Sequence, residues 1–147
     1  LILGLFLILG AVSFAAPKFI DTTKLEKAGY DIMQDEKNMF TVASANENSG
    51  FVISYYLTDK NSKELSDTIK ADAPAGEVKF LSAINNDQAY VNEFQSDNFY
   101  SYVVVPKKQK LGKYKIYATY ATVKKIPKDA INSTVKSVIN EAEGLIK

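Results

Sequence analysis

The chain has 147 residues, with eighteen basic and seventeen acidic side chains and a net charge of +1, and it contains no Cys, no His and no Arg. Without Cys it can form no disulfide and carry no lipid on an N-terminal Cys, so a folded domain must be stabilised by packing. His is the usual general base near neutral pH and Arg the usual bidentate ligand of phosphate, so their absence argues against most enzyme mechanisms and against specific nucleic-acid recognition.

The first fifteen residues have the pattern of an export signal. Residues 1–12 carry no charged side chain, and twelve apolar residues are too few to span a membrane, which takes about 20. Ser13 and Ala15 are small residues at positions −3 and −1 of a cleavage site. We predict a signal peptide over residues 1–15 and one α+β domain over residues 16–147, soluble in the periplasm or secreted. The alternative is an uncleaved anchor or a buried helix.

Turn-forming residues divide the first half of the domain into a short helix and three strands. The helix is predicted from Thr22 or Thr23, as N-cap, to Gly29. Runs rich in β-branched and aromatic residues follow, separated by clusters of Asp, Asn, Glu and Ser that predict hairpin turns. The predicted strands are residues 30–34, 39–46 and 50–58.

The second half predicts a helix, four strands and a closing helix. Asn61 is a suitable N-cap, and Glu64 stands at the capping-box position. After Ile126-Pro127, apolar residues recur every three or four positions, which predicts an amphipathic helix that closes the domain on an antiparallel sheet. The strands are residues 77–84, 88–95, 99–106 and 113–125, and the apolar helix positions are Ile131, Val135, Val138, Ile139, Ala142, Leu145 and Ile146.

The order of these predicted elements resembles a known group of small exported domains. An early hairpin, a helix, a meander and a closing helix occur in this order in the PsbP-like fold and in DcrB-like envelope proteins. The resemblance implies a non-enzymatic accessory or binding role, and it assigns no functional residue. The similar segments are residues 40–43 (FTVA), residues 51–56, and Ile126-Pro127 with the helix that follows.

Lysines are concentrated between residues 106 and 128, where there is no acidic side chain. Such a run creates a local field that attracts anionic partners, and Tyr117 lies within it as a possible stacking group. We therefore predict an anion-binding or partner-binding surface there. The alternative is that these lysines protect a strand edge from pairing and keep the surface hydrated. The predicted contacts are Lys107, Lys108, Lys110, Lys113, Lys115, Lys124, Lys125 and Tyr117, with Lys128 completing the run.

The tyrosines of the last predicted strand alternate between two faces. Tyr114, Ile116, Ala118 and Tyr120 share one face of the strand, and Tyr117 points to the other. One face is expected to pack under the helices. Tyrosine on the opposite face would offer a platform for sugars or peptides, while the simpler interpretation is ordinary strand composition.

Metal binding and catalysis have weak candidates. Acidic turns around Asp35 and Glu47 lack the EF-hand spacing, so we assign no metal site. We assign no cofactor and no catalytic residue. Ser-Lys pairs of the kind that serve as a hydrolase dyad occur at Ser62-Lys63 and at Ser133 with Lys136, but without the partner motifs of penicillin-recognising enzymes.

These observations favour a non-enzymatic binding or accessory module of the envelope or secreted fraction, with an anionic envelope component or a protein as its partner. One alternative is a small cavity protein that binds an apolar ligand. Another is a hydrolase that uses carboxylates or a Ser-Lys dyad. A filled core around Val104, Tyr117 and the closing helix would favour surface binding, and a large void would favour the cavity protein.

Overall fold

A computed structural model of the protein describes residues 16–147 and shows an α+β fold, as predicted. The predicted signal peptide, residues 1–15, lies outside the described residues. The helices are α1 (Thr22–Lys27), α2 (Ser62–Asp72) and α3 (Ile131–Gly144), with a 3-10 turn at Lys128–Ala130. The strands are β1 (Asp31–Glu36), β2 (Met39–Ala45), β3 (Ser49–Leu57), β4 (Lys79–Ile84), β5 (Ala89–Ser96), β6 (Phe99–Pro106) and β7 (Tyr114–Thr122).

The seven strands form one antiparallel sheet in the order β1-β2-β3-β7-β6-β5-β4. Two sets of three consecutive strands, β1 to β3 and β4 to β6, are each joined by hairpins. Strand β7 lies between the two sets and pairs with β3 on one side and β6 on the other. The sheet edges are therefore β1 and β4, and the β6–β7 hairpin is central.

Both edge strands are irregular. The pairing of β1 with β2 shifts between Ile32 and Gln34, and the pairing of β4 with β5 shifts between Phe80 and Ser82. A β-bulge interrupts the row of free backbone groups at an edge, which hinders edge-to-edge association with another chain.

Helix α3 covers one face of the sheet, as its apolar periodicity predicts. Val135 and Ala142 are buried in one apolar cluster with Val104, and the Tyr55 hydroxyl donates a hydrogen bond of 2.6 Å to the Ala142 carbonyl. Pro127 precedes the 3-10 turn and lies outside the first turn of the α-helix. The α-helical hydrogen bonding begins only at the residue after Ala130.

Helix α2 covers the opposite face, above β5 and β6. Leu65 packs with Phe94, Val103 and Val105 in a second apolar cluster. The predicted capping box is confirmed, because the Asn61 side chain accepts from the Glu64 amide and the Glu64 carboxylate accepts from the Asn61 amide. A buried polar pair also lies on this face: the Asn92 side-chain amide donates to the Ser66 hydroxyl at 3.0 Å.

Helix α1 lies beside the end of α3. Its N-cap is Asp21, whose carboxylate accepts from the Lys24 amide at 3.1 Å, and not Thr22 or Thr23 as predicted. Gly29 ends the helix region with a φ of 76°, a conformation that glycine adopts without strain. Across residues 16–147, none of the helices combines the length and apolar character needed to cross a bilayer.

Candidate functional site

The predicted lysine run is divided into two groups by β7. Pairing with β3 ends at Thr122, so β7 is shorter than predicted and its flanking lysines lie in the connecting segments. The nine residues of β7 separate the two groups by about 30 Å, at about 3.3 Å per residue. The structure therefore corrects the expectation of one continuous surface. The first group surrounds the β6–β7 connection, and the second consists of Lys124, Lys125 and Lys128.

The connection between β6 and β7, residues 107–113, is here called the lysine loop. It carries four exposed lysines and no acidic residue. Within the described residues, none of the four makes an ion pair with a carboxylate. Their positive charge is therefore available to a partner. The Nζ atom of Lys107 lies 5.2 Å from the centre of the Tyr90 ring. The four lysines are Lys107, Lys108, Lys110 and Lys113.

Gln109 holds the lysine loop against the sheet. The pairing of β6 with β7 ends at Val104 and Ala118. The ladder does not continue through Pro106, because proline has no amide hydrogen to donate. The side-chain amide of Gln109 supplies the hydrogen bonds that the ladder lacks here. Its Oε1 atom accepts from the Ile116 amide at 2.7 Å, and its Nε2 atom lies 3.1 Å from the carbonyl oxygens of Pro106 and Ile116. Sequence reasoning missed Gln109, because it gave weight only to the lysines around it.

Two other predicted contacts, Lys115 and Tyr117, are less exposed than the loop lysines and are engaged in contacts within the protein. Lys115 is partly buried, and its Nζ atom donates to the Gly112 carbonyl at 3.2 Å. Tyr117 packs against the α2 cluster, and burial raises the pKa of its hydroxyl. The predicted alternation of β7 is confirmed, since Tyr114, Tyr120 and the residues in phase with them pack on the α3 side.

The second lysine group borders a cleft, here called the Glu93 cleft. It lies between the β4–β5 hairpin, the segment that follows β7, and the start of α3, and its volume is about 480 Å³. Its walls combine apolar side chains with amides, two lysines and one carboxylate. The lining residues are Ser82, Ala83, Ile84, Asn85, Glu93, Lys125, Ile126, Lys128, Ile131 and Asn132.

Glu93 is the buried acid of this cleft, with 3% of its surface exposed. It stands directly opposite Ser82 on β4 and Tyr102 on β6. The Tyr102 hydroxyl donates to Oε2 at 2.7 Å and accepts from the Ile126 amide at 2.9 Å. Burial, together with the hydrogen bond to Glu93, raises the pKa of Tyr102, so this hydroxyl stays protonated well into the alkaline range.

The other oxygen of Glu93 has longer contacts. Oε1 lies 3.3 Å from the Ser82 hydroxyl and 3.7 Å from the Nζ atom of Lys125, which is itself largely exposed. Lys125 therefore belongs to the cleft, and sequence reasoning did not foresee its acidic partner. The signal was present, because Glu93 is in phase with the buried residues Ala89 and Val91 on β5.

The weaker candidates for catalysis are engaged in local contacts. The Ser62 hydroxyl donates to the Pro106 carbonyl at 2.7 Å, while Lys63 binds Asp67 at 2.8 Å. The Ser133 hydroxyl donates to the Ala130 carbonyl at 3.0 Å. Within residues 16–147, no cluster of three or more acidic side chains could hold a metal ion.

Comparison of the chain with family models, with curated proteins and with solved structures finds no match. Its function must therefore be argued from its own residues.

Proposed function

We propose that this protein is a non-enzymatic binding module that is exported and docks on an anionic component of the cell envelope through the lysine loop. The observation that carries the proposal is the central position of this loop in the sheet. Of the two alternative roles of these lysines, protection of a strand edge is not supported, because β7 is paired on both sides and the edges are β1 and β4. Both edges have bulges of their own. The other alternative, hydration of the surface, is separated from binding by the experiment below.

Gln109 prepares the lysine loop for binding. Its hydrogen bonds to Pro106 and Ile116 fix the middle of the loop, and the lysines on either side project into solvent. A loop that is ordered before binding loses less conformational entropy when a partner arrives. Four unpaired charges on such a loop also steer an anionic partner toward it.

The chemistry of lysine indicates the kind of partner. An ammonium group is a compact point charge, without the flat fork by which arginine recognises individual carboxylates or phosphates. Four of them on one loop suit a partner with many repeated negative charges, in which the spacing of individual groups matters little. An acidic envelope polymer has this character, and it is the partner we propose.

The packing of the core supports a surface contact over an apolar cavity. Val104 is 2% exposed and lies in one cluster with Ile116, Val135 and Ile139, which fill the space between the sheet and α3. Tyr117 packs on the other face against the α2 cluster. A protein that binds an apolar ligand in its core would have a void at these positions. We also propose that the resemblance to PsbP-like and DcrB-like proteins in the order of elements reflects a similar non-enzymatic binding role.

Binding to a soluble acidic polymer tests the proposal. Polyglutamate should bind the protein, and the affinity should fall steeply as salt rises, because exposed charges are screened over about 8 Å at physiological ionic strength. Replacing Lys107, Lys108, Lys110 and Lys113 together by Gln should abolish binding and leave the melting temperature nearly unchanged. The matched control replaces four exposed lysines outside the loop, Lys24, Lys27, Lys136 and Lys147.

The control variant has the same net charge as the loop variant, so it separates a local surface from a general charge effect. Equal loss of binding in the two variants, or binding that does not respond to salt, would overturn the lysine loop as the docking surface.

Export is the second part of the proposal and has a separate test. Mass spectrometry of the protein from its native cells should find an N-terminus at Ala16, the residue after the predicted cleavage site. Recovery of the cellular protein with residues 1–15 attached would contradict it.

A further inference from the structure

We infer that the Glu93 cleft binds a small hydroxylated organic anion, of the class that includes sugar acids and hydroxy acids. This site lies at the opposite end of β7 from the lysine loop and does not depend on the function proposed above. The inference rests on three features of the cleft: one weakly engaged carboxylate oxygen, an excess of one positive charge, and walls that are partly apolar and partly amide.

The two oxygens of Glu93 differ in how well they are bound. Tyr102 donates to Oε2 at 2.7 Å, a typical distance for a hydrogen bond to a charged acceptor. The contacts of Oε1, 3.3 Å to Ser82 and 3.7 Å to Lys125, are longer than the usual distances to a carboxylate, about 2.5–2.7 Å from a hydroxyl and about 2.7–2.9 Å from an ammonium group. Oε1 therefore has capacity for another donor, and its two neighbours both line the cleft.

Tyr102 fixes the orientation of this carboxylate. Its hydroxyl is held from behind by the Ile126 amide at 2.9 Å, so the donor that binds Oε2 cannot easily turn away. Glu93 is thus presented as an oriented acceptor at the wall of the cleft, and a ligand need not reorganise it. Such preorganised polar groups give small-molecule sites their specificity.

The charges of the lining residues define the charge of the ligand. Glu93 contributes one negative charge, and Lys125 and Lys128 contribute two positive charges. A ligand with one negative charge would neutralise the excess. A zwitterionic amino acid has no net charge and would leave this excess positive charge in place. Its ammonium group would also be repelled by Lys125 as it approached Glu93. A hydroxyl group is the neutral donor that avoids this repulsion, so the ligand should combine hydroxyl groups with a single acid.

The remaining walls suit a compact ring or chain. Ile84, Ile126 and Ile131 offer apolar surface. The Asn132 side chain is oriented by Asn86, whose amide donates to the Asn132 Oδ1 atom at 2.9 Å, and this leaves the Nδ2 donors of Asn132 for a ligand carboxylate. A volume of about 480 Å³ lies within the range of small-ligand sites.

Titration of the whole protein with D-glucuronate tests the inference, with binding followed by calorimetry or by NMR shifts of Ile126 and Asn132. Glucose, which lacks the acid, and hexanoate, which lacks hydroxyl groups, should each bind at least about tenfold more weakly, since each loses one set of polar contacts. Glycine, a zwitterion, should also bind more weakly. Equal binding of hexanoate and glucuronate, or no binding of glucuronate, would overturn the inference.

Variants of the cleft complete the test. Glu93→Gln keeps the shape but removes the charged acceptor, so it should reduce the preference for glucuronate over hexanoate about tenfold, because the lost negative charge favours both anions equally and only the hydroxyl contacts differ. Lys128→Gln, at an exposed position, should weaken glucuronate binding several-fold without affecting folding. Lys27→Gln, on α1 and outside the cleft, is the matched control and should bind glucuronate as the unmodified protein does. If Glu93→Gln fails to fold, the Lys128→Gln variant tests the site by itself. Unchanged affinity of that variant for glucuronate would reject the site.

Discussion

The side-chain amide of Gln109 binds both main-chain groups of Ile116. Its Oε1 atom accepts from the Ile116 amide at 2.7 Å, and its Nε2 atom donates to the Ile116 carbonyl at 3.1 Å. A peptide unit of a neighbouring strand would make the same two contacts. Gln109 therefore extends the sheet by one step past Pro106, which cannot donate, and the lysine loop is anchored by a side chain in place of a strand.

Removing this amide should destabilise the protein and loosen the lysine loop. Gln109→Ala leaves the Ile116 amide and carbonyl without their partner, so we expect a loss of about 1–3 kcal/mol in the free energy of unfolding. Chemical denaturation measures the loss, and NMR relaxation should show faster motion at Lys108 and Lys110. Gln95→Ala is the control, because the hydrogen bond from the Gln95 side chain to the Tyr100 hydroxyl is 3.4 Å long. Similar losses in the two variants would contradict the anchoring role.

The buried face of α3 should contribute strongly to stability. Ile139→Ala removes an apolar side chain that is 9% exposed and should cost about 2–5 kcal/mol in the free energy of unfolding. Asn140→Ala alters the next, exposed position and should be nearly silent. Equilibrium denaturation compares them, and equal effects would mean that the packing of α3 has been misassigned.

The hydroxyl group of Tyr102 should itself contribute to stability, in addition to the buried ring. Tyr102→Phe keeps the buried ring but removes the donor to Glu93 and the acceptor of the Ile126 amide. Because a buried charge then loses its shortest hydrogen bond, we expect a cost of about 1–3 kcal/mol. Tyr100→Phe is the control, since that ring is only partly buried and its hydroxyl makes one long contact. A silent Tyr102→Phe substitution would refute the role given to the hydroxyl.

Stability should fall at alkaline pH. Burial raises the pKa values of Tyr30, Tyr55 and Tyr102 above the value of about 10 for tyrosine in an unfolded chain. Above that pH the folded state retains protons that the unfolded state has lost, so stability is complete below about pH 10 and decreases as pH rises further. Denaturation midpoints measured across this range, with tyrosinate absorbance as a second readout, should show it. Constant midpoints up to about pH 12 would contradict the raised pKa values.

The sequence was sufficient to predict elements that depend on local pattern. The apolar spacing of α3 predicted its buried face, and Asn61 with Glu64 predicted the start of α2. Both follow from interactions within a few residues along the chain. The N-cap of α1 is displaced by one or two residues from the predicted Thr22 or Thr23, because Asp21, Thr22 and Thr23 are all good capping residues and only the backbone decides among them.

The candidate sites could not be predicted in the same way, because they depend on strand neighbours that are distant in sequence. The lysines form two groups only because β7 inserts between β3 and β6. The Glu93 cleft brings residues of β4 and β5 together with Lys125 and Asn132. No local pattern specifies these pairings. The one local indication is that Glu93 lies in phase with the buried residues Ala89 and Val91 on β5, which predicts a buried carboxylate.

The central place of β7 also has a consequence for how the chain folds. Strands β1 to β3 and β4 to β6 can form two local meanders early, but each then has an unpaired inner edge until β7 arrives. Pairing Ser49 with Thr122 closes a loop of about 70 residues, which carries an entropic cost that the local hairpins do not. We expect insertion of β7 to limit the folding rate. A chain still being synthesised would hold two half-sheets with open edges until Tyr114–Thr122 is available, and this is the interval in which it is most exposed to aggregation.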